Sequence, residues 1–402
     1  MKSKLIAATL FAATTVTVAL FPYVRDTVAA NPPPRLTTPP VAIAVAIKPK
    51  VEVVFVLDTT SSMSGLIEAA KEKIWSIAST MASANQSPEV RMGLVAFRDR
   101  GDAYVTKVVD LSSDLDSMYA TLMDFRAEGG GDGPESVNQG LYDAVHRVSW
   151  SQDEKTYRAV FLLGDAPPHM DYDNDVPYPQ TLKAAAQRGI VVNAIQAGKQ
   201  TNTLKRWQDI AQLGYGSYFQ VGQKGSSVAI STPFDEKLAK LSRRLDSTRL
   251  FYGNEQEKAA QRVKRQATKK LHAKASVAAQ ARRGAFNASA SGAANLLGDK
   301  DLVDDVKNGR ADLKTLAPES LPAALQSLEP AEQKAKVEEL AKQRLEVRQR
   351  MVEVSKKRDA FLKEKVEAQG GARDSLDHRL FDAVRTQGGK VGLSYEADAP
   401  RY

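Results

Sequence analysis

The 402-residue chain contains no cysteine at all. That excludes disulfides, zinc–thiolate centres and thiol nucleophiles. Histidine is scarce, with only His146, His169, His272 and His378. No His-Glu-x-x-His, Gly-x-Ser-x-Gly or Gly-x-x-x-x-Gly-Lys stretch occurs, so these catalytic and phosphate-cradling signatures are absent. Aromatic residues make up 7% of the chain. The basic run from Lys258 to Arg283 has no aromatic series interleaved with it, which argues against stacking on nucleic-acid bases. A net charge of +8 is modest for this length.

What is present begins with an amino-terminal address. Lys2 and Lys4 precede an apolar run from Leu5 to Phe21, and Val28-Ala29-Ala30 offers small residues for cleavage. Residues 1–30 therefore read as a secretory signal peptide. An uncleaved membrane anchor is the alternative, since Leu5 to Val24 approaches spanning length. Export without cysteine suits a bacterial periplasm or cell envelope. Residues 31–48 are Pro-rich and read as an extended linker.

Residues 49–247 alternate apolar strand patterns with amphipathic helix patterns. Strands are expected at about 51–57, 91–98, 103–110, 157–164, 190–196 and 217–222, by period and β-branched content. Helices are expected at about 63–84, 114–127, 135–148, 178–188, 202–213 and 234–247. Such alternation predicts an α/β fold with a doubly wound, mainly parallel sheet of Rossmann-like type. The stretch Val51-Glu-Val-Val-Phe-Val-Leu-Asp58-Thr-Thr60-Ser-Ser62 is its most informative part. A doubly buried strand ends there in one carboxylate and two hydroxyls at alternate positions. Open α/β sheets bind ligands at the carboxyl ends of their strands. Hard oxygens on a tight loop suit Mg²⁺ or a similar cation, and they also suit simple helix capping.

Two further acidic points sit where partners would be needed. Asp165 ends the apolar run Ala159-Val-Phe-Leu-Leu-Gly-Asp165. The loop Gly129-Gly-Gly-Asp132-Gly-Pro134-Glu135 leads into a helix pattern. Together these motifs resemble a von Willebrand factor A domain with a metal-ion-dependent adhesion site. The resemblance covers about half of the chain. It implies that Asp58, Thr60, Ser62, Glu135 and Asp165 hold Mg²⁺ or Mn²⁺, whose open coordination position takes an acidic side chain of a protein partner. Thr60 stands where the usual motif has Ser, and Glu135 where most members have Thr. The Asp-x-Pro-Glu loop is similar to that of integrin β I-like domains. That similarity implies a second cation, Ca²⁺, at Asp99, Asp132 and the Pro134 carbonyl. The Asn that completes this second site in the family falls on Gly130.

From about Asp246 the composition shifts to Ala, Lys, Arg, Glu and Gln. Residues 248–298 are basic and then rich in Gly, Ala, Asn and Ser: Lys258 to Arg283 reads as a solvated helix face or a flexible arm, and Gly284 to Gly298 as a flexible joint. Residues 299–402 read as an α-helical region. Val337, Leu340, Val347, Met351, Val354 and Phe361 form a heptad seam interrupted by Arg344 and Arg358. A helical hairpin, a coiled coil or docking on a partner would each bury that seam. The function expected is an exported, metal-dependent protein-binding module for adhesion or assembly, not an enzyme and not a nucleic-acid binder. Membrane attachment follows only if the amino-terminal segment is retained. The alternative is a metal-dependent hydrolase using Asp58, Asp165 and His169, because a bound cation can activate water.

Overall fold

The computed structural model describes residues 48–131, 133–223, 230–368 and 376–396. The amino-terminal segment and Asp132 lie outside them. Six strands form one sheet: β1 (Lys50–Asp58), β2 (Glu89–Phe97), β3 (Thr106–Ser112), β4 (Thr156–Gly164), β5 (Ile190–Ala197) and β6 (Tyr215–Val221). Their order is β3-β2-β1-β4-β5-β6. All pairs are parallel except β2 with β3. Interleaved helices are α1 (Ser64–Ala82), α2 (Leu115–Leu122), α3 (Val137–His146), α4 (Tyr178–Gln187), α5 (Thr201–Leu213) and α6 (Asp235–Asp246). The doubly wound, mainly parallel architecture expected from the alternation is therefore the one observed.

Side-chain alternation along β1 separates two cores, as the pleat of a strand requires. Val51, Val53, Phe55 and Leu57 face Trp75 and other residues of α1 and Tyr119 of α2. Val54 and Val56 face the opposite layer, with Leu141 of α3, Leu182 of α4 and Trp207 of α5. Chain order reverses direction between β1 and β4. That switch point leaves a crevice beyond the carboxyl ends of those two strands. Asp58 ends β1, and Asp165 immediately follows β4.

After Asp246 the chain takes up the helical alternative rather than the flexible arm, with part of the basic run buried. Residues 255–274 and 277–288 are helices α7 (Glu255–Lys274) and α8 (Val277–Ala288). A capping box at Asn254 and Glu257 starts α7, and the Ser276 hydroxyl caps α8 at Ala279. Leu271, Ala279 and Phe286 are buried in the same core as α1. The basic composition misled because the charges sort by face: Arg262, Arg265 and Lys269 are exposed, whereas Lys264 is buried against Asp114 at 2.6 Å. Short helices α9 (Ala293–Leu297), α10 (Leu302–Lys307) and α11 (Ala323–Gln326) lead to α12 (Pro330–Ala368) and α13 (Leu376–Gly388).

Buried ion pairs bind these helices to the sheet domain. The Arg283 guanidinium donates to both oxygens of Asp116 on α2, at 2.6 and 2.5 Å, and to Asp246 on α6 at 2.7 Å. Arg283 and Asp116 are fully buried. Burial alone would raise the Asp116 carboxyl, but the Arg283 charge and hydrogen bonds outweigh it and hold the group far below the carboxylate range. Asp246 is likewise brought down to about 2 against its burial, by Arg283 and then Arg249.

The seam of α12 docks on its own chain rather than in a coiled coil. Val347, Met351 and Val354 pack with Leu238 and Leu241 of α6 and Ala281 of α8. The two arginines that interrupt the apolar seam are satisfied inside it. Arg344 holds Asp301 at 2.8 Å, and Arg358 holds Asp235 at 2.7 Å. Leu362 is buried where the heptad placed Phe361, a drift expected of a straight helix against a strict 3.5-residue repeat. Helix α13 returns to the sheet, where Gln387 bonds Asn193 of β5 at 2.7 Å and Tyr157 of β4 at 2.6 Å. Among the described residues no helix is long and apolar enough to cross a membrane.

Replacing Arg283 with Ala takes the paired cation from buried Asp116 and leaves Asp246 only Arg249 and His272, a loss of about 3–5 kcal/mol for a broken buried pair. Equilibrium denaturation of the full chain should show this as one cooperative destabilisation. A second, independent transition would instead mean that the helices unfold apart from the sheet domain.

Candidate metal centre

Asp58 stands at the end of β1 with its carboxylate buried. Its Oδ1 accepts two hydrogen bonds from Thr60, from the backbone N–H at 2.8 Å and from Oγ1 at 2.7 Å. Its Oδ2 is buried with no hydrogen-bond partner. Burial pushes the carboxyl up to about 7, against hydrogen bonds from Thr60 and from the Asp165 backbone and with added repulsion from the Asp165 carboxylate. An anion so held lacks a counter-charge. Crowded carboxylates become favourable only when a cation joins them.

Neighbouring residues divide their labour. Thr59 turns away from the crevice and anchors the loop to β2, donating from Oγ1 to the Phe97 carbonyl at 2.9 Å. Thr60 Oγ1 lies 3.4 Å from Ser62 Oγ, which donates to Asp165 Oδ1 at 3.0 Å. Asp58, Thr60, Ser62 and Asp165 thus form one connected chain of oxygens. The loop after β4 is fixed from behind by Thr203 on the Asp165 carbonyl at 2.8 Å and by Trp207 Nε1 on the Ala166 carbonyl at 3.0 Å.

Glu135 enters from the glycine loop. Its backbone N–H donates to the Pro167 carbonyl at 2.9 Å, and its carbonyl accepts from the His169 N–H at 3.1 Å, stitching the two loops together. Ser61 ties the same loop to β1 through the Gly129 carbonyl, at 2.8 Å from Oγ. Gly130 has φ +82, and a Cβ there would press on both Thr60 and the Glu135 Oε1, at 3.2 and 3.3 Å. Glycine therefore leaves Thr60 and Glu135 facing each other across a narrow gap. Among the described residues no three His, Asp or Glu side chains converge closely enough to share an ion by themselves. The hydroxyls of Thr60 and Ser62 are needed to complete a ligand set.

The residues expected to hold a second ion are arranged differently. Asp99 Oδ1 accepts from Ser136 Oγ at 2.9 Å, and Oδ2 accepts from the Tyr172 hydroxyl at 2.8 Å. Pro134 is half-buried in the adjoining loop, and Asp132 is outside the described residues. Both Asp99 oxygens thus accept a hydrogen bond from the protein. His169 is held in the same network, with Nδ1 2.8 Å from Asp171 and Nε2 3.4 Å from Asp99. Its ring stacks on Tyr172 at 4.0 Å. Both ring nitrogens thus face carboxylates other than Asp58 and Asp165.

Three residues at the site were not picked out from the sequence. Asp102 accepts the Asp99 and Gly130 N–H groups and so pins the glycine loop. Tyr172 braces Asp99 and carries Arg100 over its ring at 4.0 Å. Gln223, after β6, donates to Asp165 Oδ2 at 2.7 Å and to the Ser62 carbonyl at 3.2 Å. None has a spacing signal, because each reaches the crevice from a different loop.

A family model described as von Willebrand factor A domain matches residues 52–233. These residues, β1 through the approach to α6, are a von Willebrand factor A domain. No curated protein matches the chain. Among solved structures, the VWA domain of SpRpn10 is similar at 15% identity and TM-score 0.33, over 44% of this chain and 89% of that one. Proximal thread matrix protein 1 from the mussel byssus is similar at 16% identity and TM-score 0.33, over 43% and 42%. This chain therefore spans less than half of the mussel protein, and neither likeness bears on function.

Protonation of Asp58 gives a testable pH dependence. Its folded pKa of about 7 lies above the ordinary 3.8, so the folded state holds the proton more tightly. Its contribution to stability is then present at low pH and is lost as pH rises from about 4 to about 7, by up to about 4 kcal/mol in chelator. Denaturation of the chain minus that of Asp58→Asn, measured across this range, should show that decline. A flat difference would mean the carboxylate already has a compensating charge.

Proposed function

We propose that this von Willebrand factor A domain is a metal-dependent protein-binding module. Such domains mediate protein–protein interaction generally, and here a divalent cation would supply the contact. The observation that carries the reading is the buried Asp58 Oδ2, which lacks a hydrogen-bond partner at the carboxyl end of β1. Asp58, Thr60, Ser62, Glu135 and Asp165 would hold the cation, Mg²⁺ or Mn²⁺, through hard oxygens suited to such ions. When bound, the ion offers a positive, electrophilic point to an acidic side chain of the partner. The protein's own residues do the rest: Thr60 and Ser62 orient the carboxylates, and Gly130 keeps the approach open. Asp58 and Asp165 are joined through Thr60 and Ser62, and Glu135 would close in from its loop as the ion binds. One ion is proposed, at the oxygens around the buried Asp58 Oδ2.

The setting proposed is the bacterial periplasm or cell envelope, on the strength of Lys2, Lys4 and the apolar run that follows them. The apolar seam of α12 is used within the chain, against α6 and α8. The contribution of the carboxy-terminal helices is to brace α1, α2 and α6 behind the crevice.

Thermal melting tests the reading. Mg²⁺, Mn²⁺ or Ca²⁺ added after EDTA should raise the melting temperature, with about 2.7 kcal/mol gained at a hundredfold excess over Kd. Asp58→Ala and Glu135→Gln should lose most of that rise, and acetate should add to it only when metal is present. Identical rises in wild type and Asp58→Ala would place the cation elsewhere. No rise with any cation would mean that these loops hold no ion.

A further inference from the structure

A second cavity lies away from the crevice, between α1, α8 and α12, with a volume of about 180 Å³. It joins the A domain to the helical extension. Three cationic side chains line it, Arg282, Lys356 and Arg358, with one carboxylate, Asp359; Arg282 also meets the Glu72 carboxylate at 3.9 Å and Arg358 that of Asp235 at 2.7 Å. Five hydroxyls stand with them, from Ser76, Ser79, Ser83, Ser289 and Ser355. Phe286 and Val352 supply an apolar wall.

Two details separate this cavity from a packing gap. Arg282 and Arg358 are almost wholly buried, and each is steadied from its own side. Arg282 Nη1 donates to the Glu72 carbonyl at 3.2 Å, and Arg358 Nε to Asp235 at 2.7 Å. Their planar groups are therefore set in place beforehand, which lowers the ordering cost of gripping an anion. The Ser355 Oγ is also buried and has no hydrogen-bond partner. A serine within a helix ordinarily returns its proton to the carbonyl four residues back. A buried hydroxyl left without one costs about 1–3 kcal/mol unless something else meets it.

We propose that this cavity binds a phosphate group, free or as the monoester of a small organic body. Arginine, lysine and hydroxyl donors together match the several oxygens and the double charge of phosphate better than a single carboxylate. Room for about six waters, at about 30 Å³ each, accommodates phosphate with a few further atoms. The Phe286 and Val352 wall favours an ester with a short carbon body over the free ion. Bound there, the ligand fastens α12 to α1 and so couples the helical extension to the A domain. The site is independent of the proposed cation site and shares no residue with it.

The test uses the full chain in EDTA, which removes any effect of divalent metal. Inorganic phosphate, glycerol phosphate and propionate are titrated by calorimetry and thermal melting at constant ionic strength. Glycerol phosphate should bind and raise the melting temperature, inorganic phosphate should do so more weakly, and propionate least. Lys356→Glu reverses an exposed charge without touching the core, and Ser355→Val removes the hydroxyl at nearly constant volume. Each should weaken phosphate binding about tenfold or more, as expected for losing a charged or buried hydrogen bond. Phosphate binding that persists unchanged in both variants would overturn the proposal. So would silence for both phosphates up to tens of millimolar, the outcome expected if Ser355 meets only a water. Stronger binding of propionate than of either phosphate would overturn the choice of ligand.

Discussion

A single carboxylate, desolvated at the end of β1, sets the terms for the functional face. Asp58 is placed there by a strand whose side chains are buried on both faces, and the crevice follows from the reversal of strand order beside it. Once the group is stripped of water, its surroundings must either protonate it or bring a cation. Thr60 stabilises only one of its oxygens. Everything else at the site is arranged about that residual charge: Ser62 and Asp165 from two strand ends, Glu135 from a loop narrowed by glycine.

Buried ion pairs tie the rest of the chain to the A domain. Arg283 reaches through the core to Asp116 on α2 and Asp246 on α6, and so ties the extension to helices on the same layer. Charges at this depth cost several kcal/mol to desolvate, and only good geometry repays it. Arg344 with Asp301 and Arg358 with Asp235 repeat the arrangement along α12. Such pairs add little net stability compared with apolar packing, but they disfavour alternative registers of a helix with a repetitive seam. The 39-residue α12 has that repetitive character and needs such pins.

Much of the A domain was legible because its elements are strongly patterned. All six strands and six helices through Asp246 lie within a few residues of their expected spans, and Asp58, Thr60, Ser62 and Asp165 are brought together as their strand-end positions implied. Contacts made between loops were not legible. Asp102, Tyr172 and Gln223 act through distances that no local period encodes. The region after Asp246 was misread for a different reason. Its alanines and lysines look solvated one residue at a time, yet Ala279, Ala281 and Lys264 lie inside. Arg283 sits in a run of basic residues, and its partners are 167 and 37 positions away. Reading the seam arginines as defects had the same cause, since their acids lie outside the heptad.

The most direct measurement is the stoichiometry of Mn²⁺ binding to the metal-free full chain, by calorimetry and by the loss of the free-ion paramagnetic resonance signal. The account predicts one ion per chain, abolished by Asp58→Ala and strongly weakened by Glu135→Ala, while Asp99→Ala leaves the count unchanged. Binding that survives Asp58→Ala, or no binding at millimolar Mn²⁺, would contradict it.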